Sequence, residues 1–261
     1  MSEIYTPEFF EGKRQRRTYS ALQIMKVVSR LLRPHSVADF GCGDGTWLKA
    51  SADIGAVTLD GYDGSWVSQS SLDSRINFTG IDFEAGFVCR QDYDLAMSLE
   101  VAEHLTPKAG ERLIATLCKG SKVVLFSAAI PDQGGSNHIN EQWQSYWARR
   151  FAQHEFECFD PIRSAIWSDA AIYPWYRQNI LVFVHPSAAN VDRVALGPQA
   201  TARSMDLVLP EMYEGTVQRL KSAGRITPRR IARNILHALP YGKDAHVVAH
   251  RLLRARLFRP V

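Results

Sequence analysis

The stretch Val37-Ala38-Asp39-Phe40-Gly41-Cys42-Gly43-Asp44-Gly45-Thr46 limits what this chain can fold into more than any other. An apolar run ends in an acid, three glycines follow at alternate positions, and Thr46-Trp47-Leu48-Lys49-Ala50 can start a helix. That is a strand, a tight turn and a helix N-terminus. Glycine reaches positive φ and lets a ligand approach without a Cβ in the way. The unpaired N–H groups and dipole of a helix start attract a carboxylate or phosphate. A dinucleotide-binding turn reads G-x-G-x-x-G/A, whereas position 46 here is threonine and the spacing is G-x-G-x-G. A glycine-rich strand–helix turn without any ligand has the same local form.

Around this turn the apolar periodicity alternates between helix and strand. Ala21, Ile24, Met25, Val28, Leu31 and Leu32 predict a helix over Thr18 to Leu32 with one buried face, stopped by Pro34. Upstream, Tyr5, Phe9 and Phe10 at helical spacing suggest a short lid. Strands are expected at Ser36 to Phe40, Ala56 to Asp63, Ile76 to Phe83, Tyr93 to Leu99, Lys122 to Ile130, Glu155 to Phe159 and Asn179 to His185, with a crossover helix at Lys108 to Lys119. Strands alternating with helices indicate an α/β doubly wound sheet.

The acid-glycine turn resembles the first motif of the class I S-adenosylmethionine-dependent methyltransferases, and Asp94-Leu95 with Ser98-Leu99-Glu100-Val101-Ala102-Glu103-His104-Leu105 resembles a run common in their small-molecule members. The resemblance implies a mostly parallel seven-stranded, Rossmann-like sheet whose last strand is antiparallel beside strand five. It implies S-adenosylmethionine as cofactor, with Asp39, Gly41, Cys42 and Gly43 under its methionine part and Leu99 at the fourth strand end. An acid ending strand two would accept from the ribose hydroxyls of an adenosine; Asp63 is the candidate and Asp60 the alternative. Asp82 and Phe83 would meet the adenine, although Asp82 equally suits a helix cap.

A second dense region follows strand five. The loop Pro131 to Ile139 leads to a helix bearing Trp143, Tyr146, Trp147 and Phe151, for which Asn140 is a suitable cap. Asn137-His138-Ile139-Asn140-Glu141-Gln142-Trp143, with Tyr146-Trp147 and the Tyr173 to Asn179 run, resembles a bacterial methyltransferase group associated with polysaccharide and secondary-metabolite biosynthesis. This implies a small-molecule or saccharide acceptor. A sugar hydroxyl needs a base or a metal near neutral pH, so His138, His104 and Glu100 are the catalytic candidates. Glu100, Glu103, His104 and His138 also resemble the ligand set of metal-dependent O-methyltransferases acting on small-RNA ends and on ubiquinone precursors, which implies a divalent metal, and metal-dependent methylation of an RNA end, as alternatives. C- or N-methylation of a secondary metabolite and a non-catalytic binding module are further alternatives.

Charge separates the chain into two parts. Net charge is +4, yet Thr201 to Val261 carries 12 Lys and Arg against 4 Asp and Glu, leaving the first 200 residues at −4. An acidic catalytic part argues against a nucleic-acid groove there. The expected organisation is a helical lid at 1–35, a methyltransferase domain at 36–186 and a basic helical extension at 187–261. Helices are expected at Gly215 to Ala223, Thr227 to Ala238 and Ala245 to Phe258, the last able to meet an anionic membrane or a second copy. Cys42, Cys89, Cys118 and Cys158 lack metal or disulfide spacing and read as free thiols. No apolar run reaches the roughly 20 residues of a membrane span and the start lacks an apolar signal core, so a cytoplasmic protein is expected.

Overall fold

A computed structural model of the chain describes residues 7–87 and 92–224. Tyr5, Cys89 and the helices expected at 227–238 and 245–258 lie outside these residues. The chain divides into two units at Met212, and α9 (Pro210–Gly224) begins in the first and continues into the second.

The central strands of the first unit are short and apolar because both faces of the sheet are covered there, whereas one edge strand, Ile76–Gly80, is polar and partly exposed. Its strands are β1 (Ser36–Phe40), β2 (Thr58–Asp63), β3 (Ile76–Gly80), β4 (Leu95–Leu99), β5 (Val123–Ser127), β6 (Glu157–Phe159) and β7 (Leu181–Val184). They stand in the order β3-β2-β1-β4-β5-β7-β6. The first five are parallel, and β7 runs antiparallel between β5 and β6. This is the doubly wound, mostly parallel seven-stranded sheet expected from the sequence. Side chains alternate between faces with period two. Leu95 and Met97 of β4 join one core cluster, with Val37, Leu59, Leu125 and Val182. Ala96 joins the opposite one, with Phe40, Phe126 and Phe183.

Helices cover the two faces. On the first lie α1 (Pro7–Leu31), α2 (Thr46–Asp53), α5 (Pro161–Ile166) and α6 (Pro174–Asn179). On the second lie α3 (Pro107–Gly120) and α4 (Gln144–Ala152), where Trp147 and Phe151 pack on Phe126 and Phe183. Short helices α7 (Arg193–Leu196) and α8 (Ala202–Met205) follow β7.

Of the boundaries that differ from the sequence reading, two bear on the site. Helix α1 starts at Pro7 rather than near Thr18, because hydrophobic periodicity marks only the part of a helix that is buried. Its exposed part is tied down by polar contacts: Arg16 donates to the carbonyls of Ala170, Ala171 and Ile172, and Arg17 to Asp44 at 2.6 Å. Asn140 does not cap α4, which begins four residues later. It is buried, its amide donates to the Ala102 carbonyl and its backbone N–H to the Glu103 carbonyl, so it glues the preceding loop to the turn after β4.

The crevice of such a sheet opens at the carboxyl ends of the strands where the strand order reverses, here between β1 and β4. The glycine turn after β1 and the turn after β4 face each other across it.

Candidate active site

The glycine turn is shaped by its own backbone. Gly41 and Cys42 donate to the Tyr62 carbonyl at 2.7 and 3.2 Å, and Gly45 donates back to Cys42 at 2.9 Å. Gly41, Gly43 and Gly45 take φ of 98°, 51° and 71°, values that favour glycine. A Cβ on Gly41 would stand 2.3 Å from Val101 Cγ2, so β1 and the turn after β4 approach closely only because this position is bare. Gly43 faces open space, which leaves a ligand room to lie on the turn.

Asp63 at the end of β2 locks this turn. Its Oδ2 accepts from the Gly43 N–H at 2.8 Å and its Oδ1 from the Gly64 N–H at 2.7 Å. Asp60 instead binds Tyr93 and Asn77 within the sheet. Asp39 is buried beneath the turn, and its Oδ2 has no hydrogen-bond partner. Burial, then the charges of Asp63 and Asp44, push its carboxyl up to about 8.

A cavity of about 690 Å³ opens beside these groups, within the usual range of small-molecule sites. Gly41, Asp63, Trp66, Asp82 and Phe83 line it, together with Glu100, Val101 and His104 from the turn after β4. Asp82 accepts from the Glu84 N–H through Oδ1. Cys42 and Leu99 were expected here, but their side chains turn into the core. The Cys42 sulfur lies against β2, where a Cβ on Gly61 would be 2.9 Å from it, and burial drives its thiol far above the usual range. Cys42 thus offers a ligand its backbone and no thiolate. Cys118 and Cys158 are also buried, free thiols.

The turn after β4 is strained. Glu100 takes φ of 57°, a region non-glycine residues seldom occupy outside functional turns. Its carboxylate accepts from Asn179 at 3.2 Å and from Gln133 at 3.3 Å, and its pKa is raised by burial. Three residues on, Glu103 is buried with neither carboxylate oxygen hydrogen-bonded. Burial, then the neighbouring Glu100, raise it to about 9. His104 lines the cavity, and burial and then His138 lower its pKa, which favours the neutral ring. The rings of His104 and His138 meet edge to face with centroids 4.8 Å apart. His138 lies outside the cavity lining, one ring behind His104. Glu103, His104 and His138 each bring a potential ligand atom within 4.8 Å of the others.

Sequence reasoning missed Glu141, Gln133, Asn179 and Trp66 as parts of this site. Glu141 contacts His138 Nδ1 at 2.8 Å, and the three-residue spacing was the one available signal. Asn179 lies 79 residues from Glu100, and only the closing of β7 against β5 brings them together.

Comparison with known proteins agrees with this geometry. The sequence model of a family described as a methyltransferase domain matches residues 13–165. No curated protein matches the chain. Among solved structures, the protein bound by the Haloferax volcanii Trm112 methyltransferase activator superposes with a TM-score of 0.50 at 16% identity, covering 66% of this chain and 93% of that one. Human N-acetylserotonin methyltransferase in complex with SAM gives a TM-score of 0.46 at 14% identity over 64% of this chain and 51% of that one. Magnesium protoporphyrin IX methyltransferase from Synechocystis with bound SAM gives 0.46 at 16% over 67% and 82%. The chain therefore spans about half the length of the human enzyme it resembles.

Proposed function

Because the chain belongs to the methyltransferase-domain family, we propose that it moves a methyl group from S-adenosylmethionine to a hydroxyl of a saccharide or sugar-containing metabolite. The residues fit that cofactor. The orphaned, buried Oδ2 of Asp39 calls for a cationic or donor group, which the methionine ammonium offers. The bare face of Gly43 leaves room for the methionine part, and each Asp63 oxygen keeps a lone pair for a ribose hydroxyl after accepting from the backbone. Bound there, S-adenosylmethionine supplies an electrophilic methyl on a sulfonium.

One observation carries the reading of the acceptor: the His104 imidazole lies in the cavity lining together with Gly41 of the glycine turn, where burial lowers its pKa and favours the neutral ring. A neutral ring can take the proton that a hydroxyl must lose as it attacks, whereas an imidazolium cannot. His138 backs it edge to face, and the Glu100, Gln133 and Asn179 group adds carboxylate and amide positions suited to a polyhydroxylated acceptor. The likeness of the Asn137 to Trp143 loop to the polysaccharide-associated group supports the same class. The test is S-adenosylhomocysteine release with a panel of sugars and glycosides, with product mass and site read by mass spectrometry. Methylation of carbon or nitrogen acceptors alone would overturn the hydroxyl reading.

A second reading rests on Glu103. A buried carboxylate with both oxygens free of hydrogen bonds, within 4.8 Å of two imidazoles, has the chemistry of a divalent-cation site. Glu103, His104 and His138 would hold the ion, which would acidify an acceptor hydroxyl. Full activity after strong chelation removes this reading, whereas loss restored by one added cation supports it.

A further inference from the structure

The acceptor side carries a polar anchor that neither the glycine turn nor the cavity wall requires. Glu141 uses both carboxylate oxygens at once: Oε2 accepts from the Asp132 N–H at 2.8 Å, and Oε1 from the Gly134 N–H at 3.2 Å and from His138 Nδ1 at 2.8 Å. The loop it holds is costly to form. Asp132, Gly134 and Asn137 all have left-handed backbones, with φ of 63°, 76° and 61°, and two of the three are not glycine. A carboxylate accepting from two N–H groups of such a loop offsets part of that strain.

The same carboxylate decides the state of the imidazole. A carboxylate only accepts, so His138 must donate through Nδ1, and in the neutral ring the lone pair then resides on Nε2. On the far edge, a Cβ on Gly135 would lie 2.2 Å from both Cε1 and Nε2 of His138, so a bare residue is needed to seat the ring there. Asn137, next in the chain, places its carbonyl 3.4 Å from His104 Nδ1. The loop thus sets the position of His138 and reaches His104 as well.

We propose that Glu141 is the positioning residue of the acceptor side, holding His138 as the Nδ1–H tautomer and fixing the 132–138 loop against His104. This rests on the histidine pair acting in methyl transfer to a hydroxyl. It assigns Glu141 no contact with cofactor or acceptor.

Two measurements test it separately. In protein labelled with ¹⁵N-histidine, the His138 ring signals, identified by their loss in His138→Ala, are expected to show protonated Nδ1 and unprotonated Nε2. Glu141→Ala should move the neutral ring toward the Nε2–H form, while Glu141→Gln, which keeps an acceptor oxygen, should retain the wild-type tautomer. In turnover with the best sugar acceptor, Glu141→Ala is expected to lower kcat about 10- to 100-fold, with the S-adenosylmethionine Kd from calorimetry within about twofold of wild type. In a His138→Ala background the same substitution should cost clearly less than in the wild-type background, because much of its effect acts through that ring and only the hold of the loop on His104 is left. An unchanged tautomer in Glu141→Ala overturns the proposal, and so does a full further loss in the His138→Ala background. If no sugar hydroxyl is methylated, the acceptor reading fails and the tautomer measurement still decides the role of Glu141. Should Glu141→Ala not fold, Glu141→Asp, too short to reach Nδ1, is expected to show the same tautomer change.

Discussion

The two walls of the cavity are built on opposite principles. The side we propose for the cofactor is backbone: Gly41 lines the cavity, and the turn that continues through Gly43 and Gly45 is held by N–H groups on the Tyr62 carbonyl and on Asp63. The side we propose for the acceptor is built from side chains of distant parts of the chain: Glu100 and His104 line the cavity, and Gln133, Asn179 and His138 stand behind them. Each wall keeps a buried carboxylate short of partners, Asp39 on one side and Glu103 on the other. The difference teaches where rigidity and variability lie. A turn fixed by main-chain bonds suits a constant donor, and a wall of exchangeable side chains suits a group of enzymes that differ in acceptor.

The sharpest way to break this comparison is to remove one function from each wall. His104→Ala is expected to lower turnover by about 10²- to 10⁴-fold, with the S-adenosylmethionine Kd unchanged; wild-type turnover would move the base elsewhere. Asp63→Ala should do the reverse. The Gly43 and Gly64 N–H groups lose the acceptor that sets the turn, and the ribose hydroxyls lose theirs, so cofactor affinity in calorimetry should fall by about 10²-fold or more. Unchanged affinity would mean that the cofactor does not lie on this wall.

The two buried acids sharpen the comparison through pH. Asp39 is raised from 3.8 to about 8 and Glu103 from 4.5 to about 9. Within those windows the folded chain holds protons that the unfolded chain has released. Stability is therefore fully present below the ordinary values and falls as pH rises through the folded ones. Urea unfolding across this range should show the decline, and Asp39→Asn and Glu103→Gln should each flatten their own share. Saturating S-adenosylmethionine should reduce the Asp39 share alone, because a bound ammonium favours the carboxylate form. A decline that neither substitution alters would place the titrating groups elsewhere.

The smallest expected effect belongs to Trp66. Its ring lies over the bare face of Gly64 at the cavity and is 79% exposed, so it contributes contact area without anchoring the turn. Trp66→Ala should weaken cofactor binding by only about 3- to 10-fold, read by calorimetry. A loss as large as that of Asp63→Ala would make an aromatic side chain, and not the backbone, the main support of this wall.

Much of the glycine turn and of the cavity edge beside it was legible in advance because its signals are local. A run of apolar residues ending in Asp39, three alternating glycines and an acid at the end of β2 can be read within a window of a few residues. The cavity lining of Asp63, Asp82 and Phe83 follows from parallel strands ending at one edge. Local reading failed where a neighbour in sequence is not a neighbour in space. Asn140 looked like a helix cap and is a buried link to Glu103. The Leu99 side chain, at the fourth strand end, packs in the core.

The sequence by itself determined the order of strands and helices, the glycine turn and the identity of the acids and imidazoles, since periodicity and backbone freedom are properties of adjacent residues. Only the tertiary structure decided their chemical states. Burial beneath the glycine turn raises the Asp39 carboxyl and burial in the turn after β4 raises that of Glu103, burial and then His138 lower the pKa of His104, and the closing of β7 on β5 brings Asn179 to Glu100. Dielectric surroundings and long-range partners are set by what the folded chain packs against each group, and no short stretch of sequence contains them.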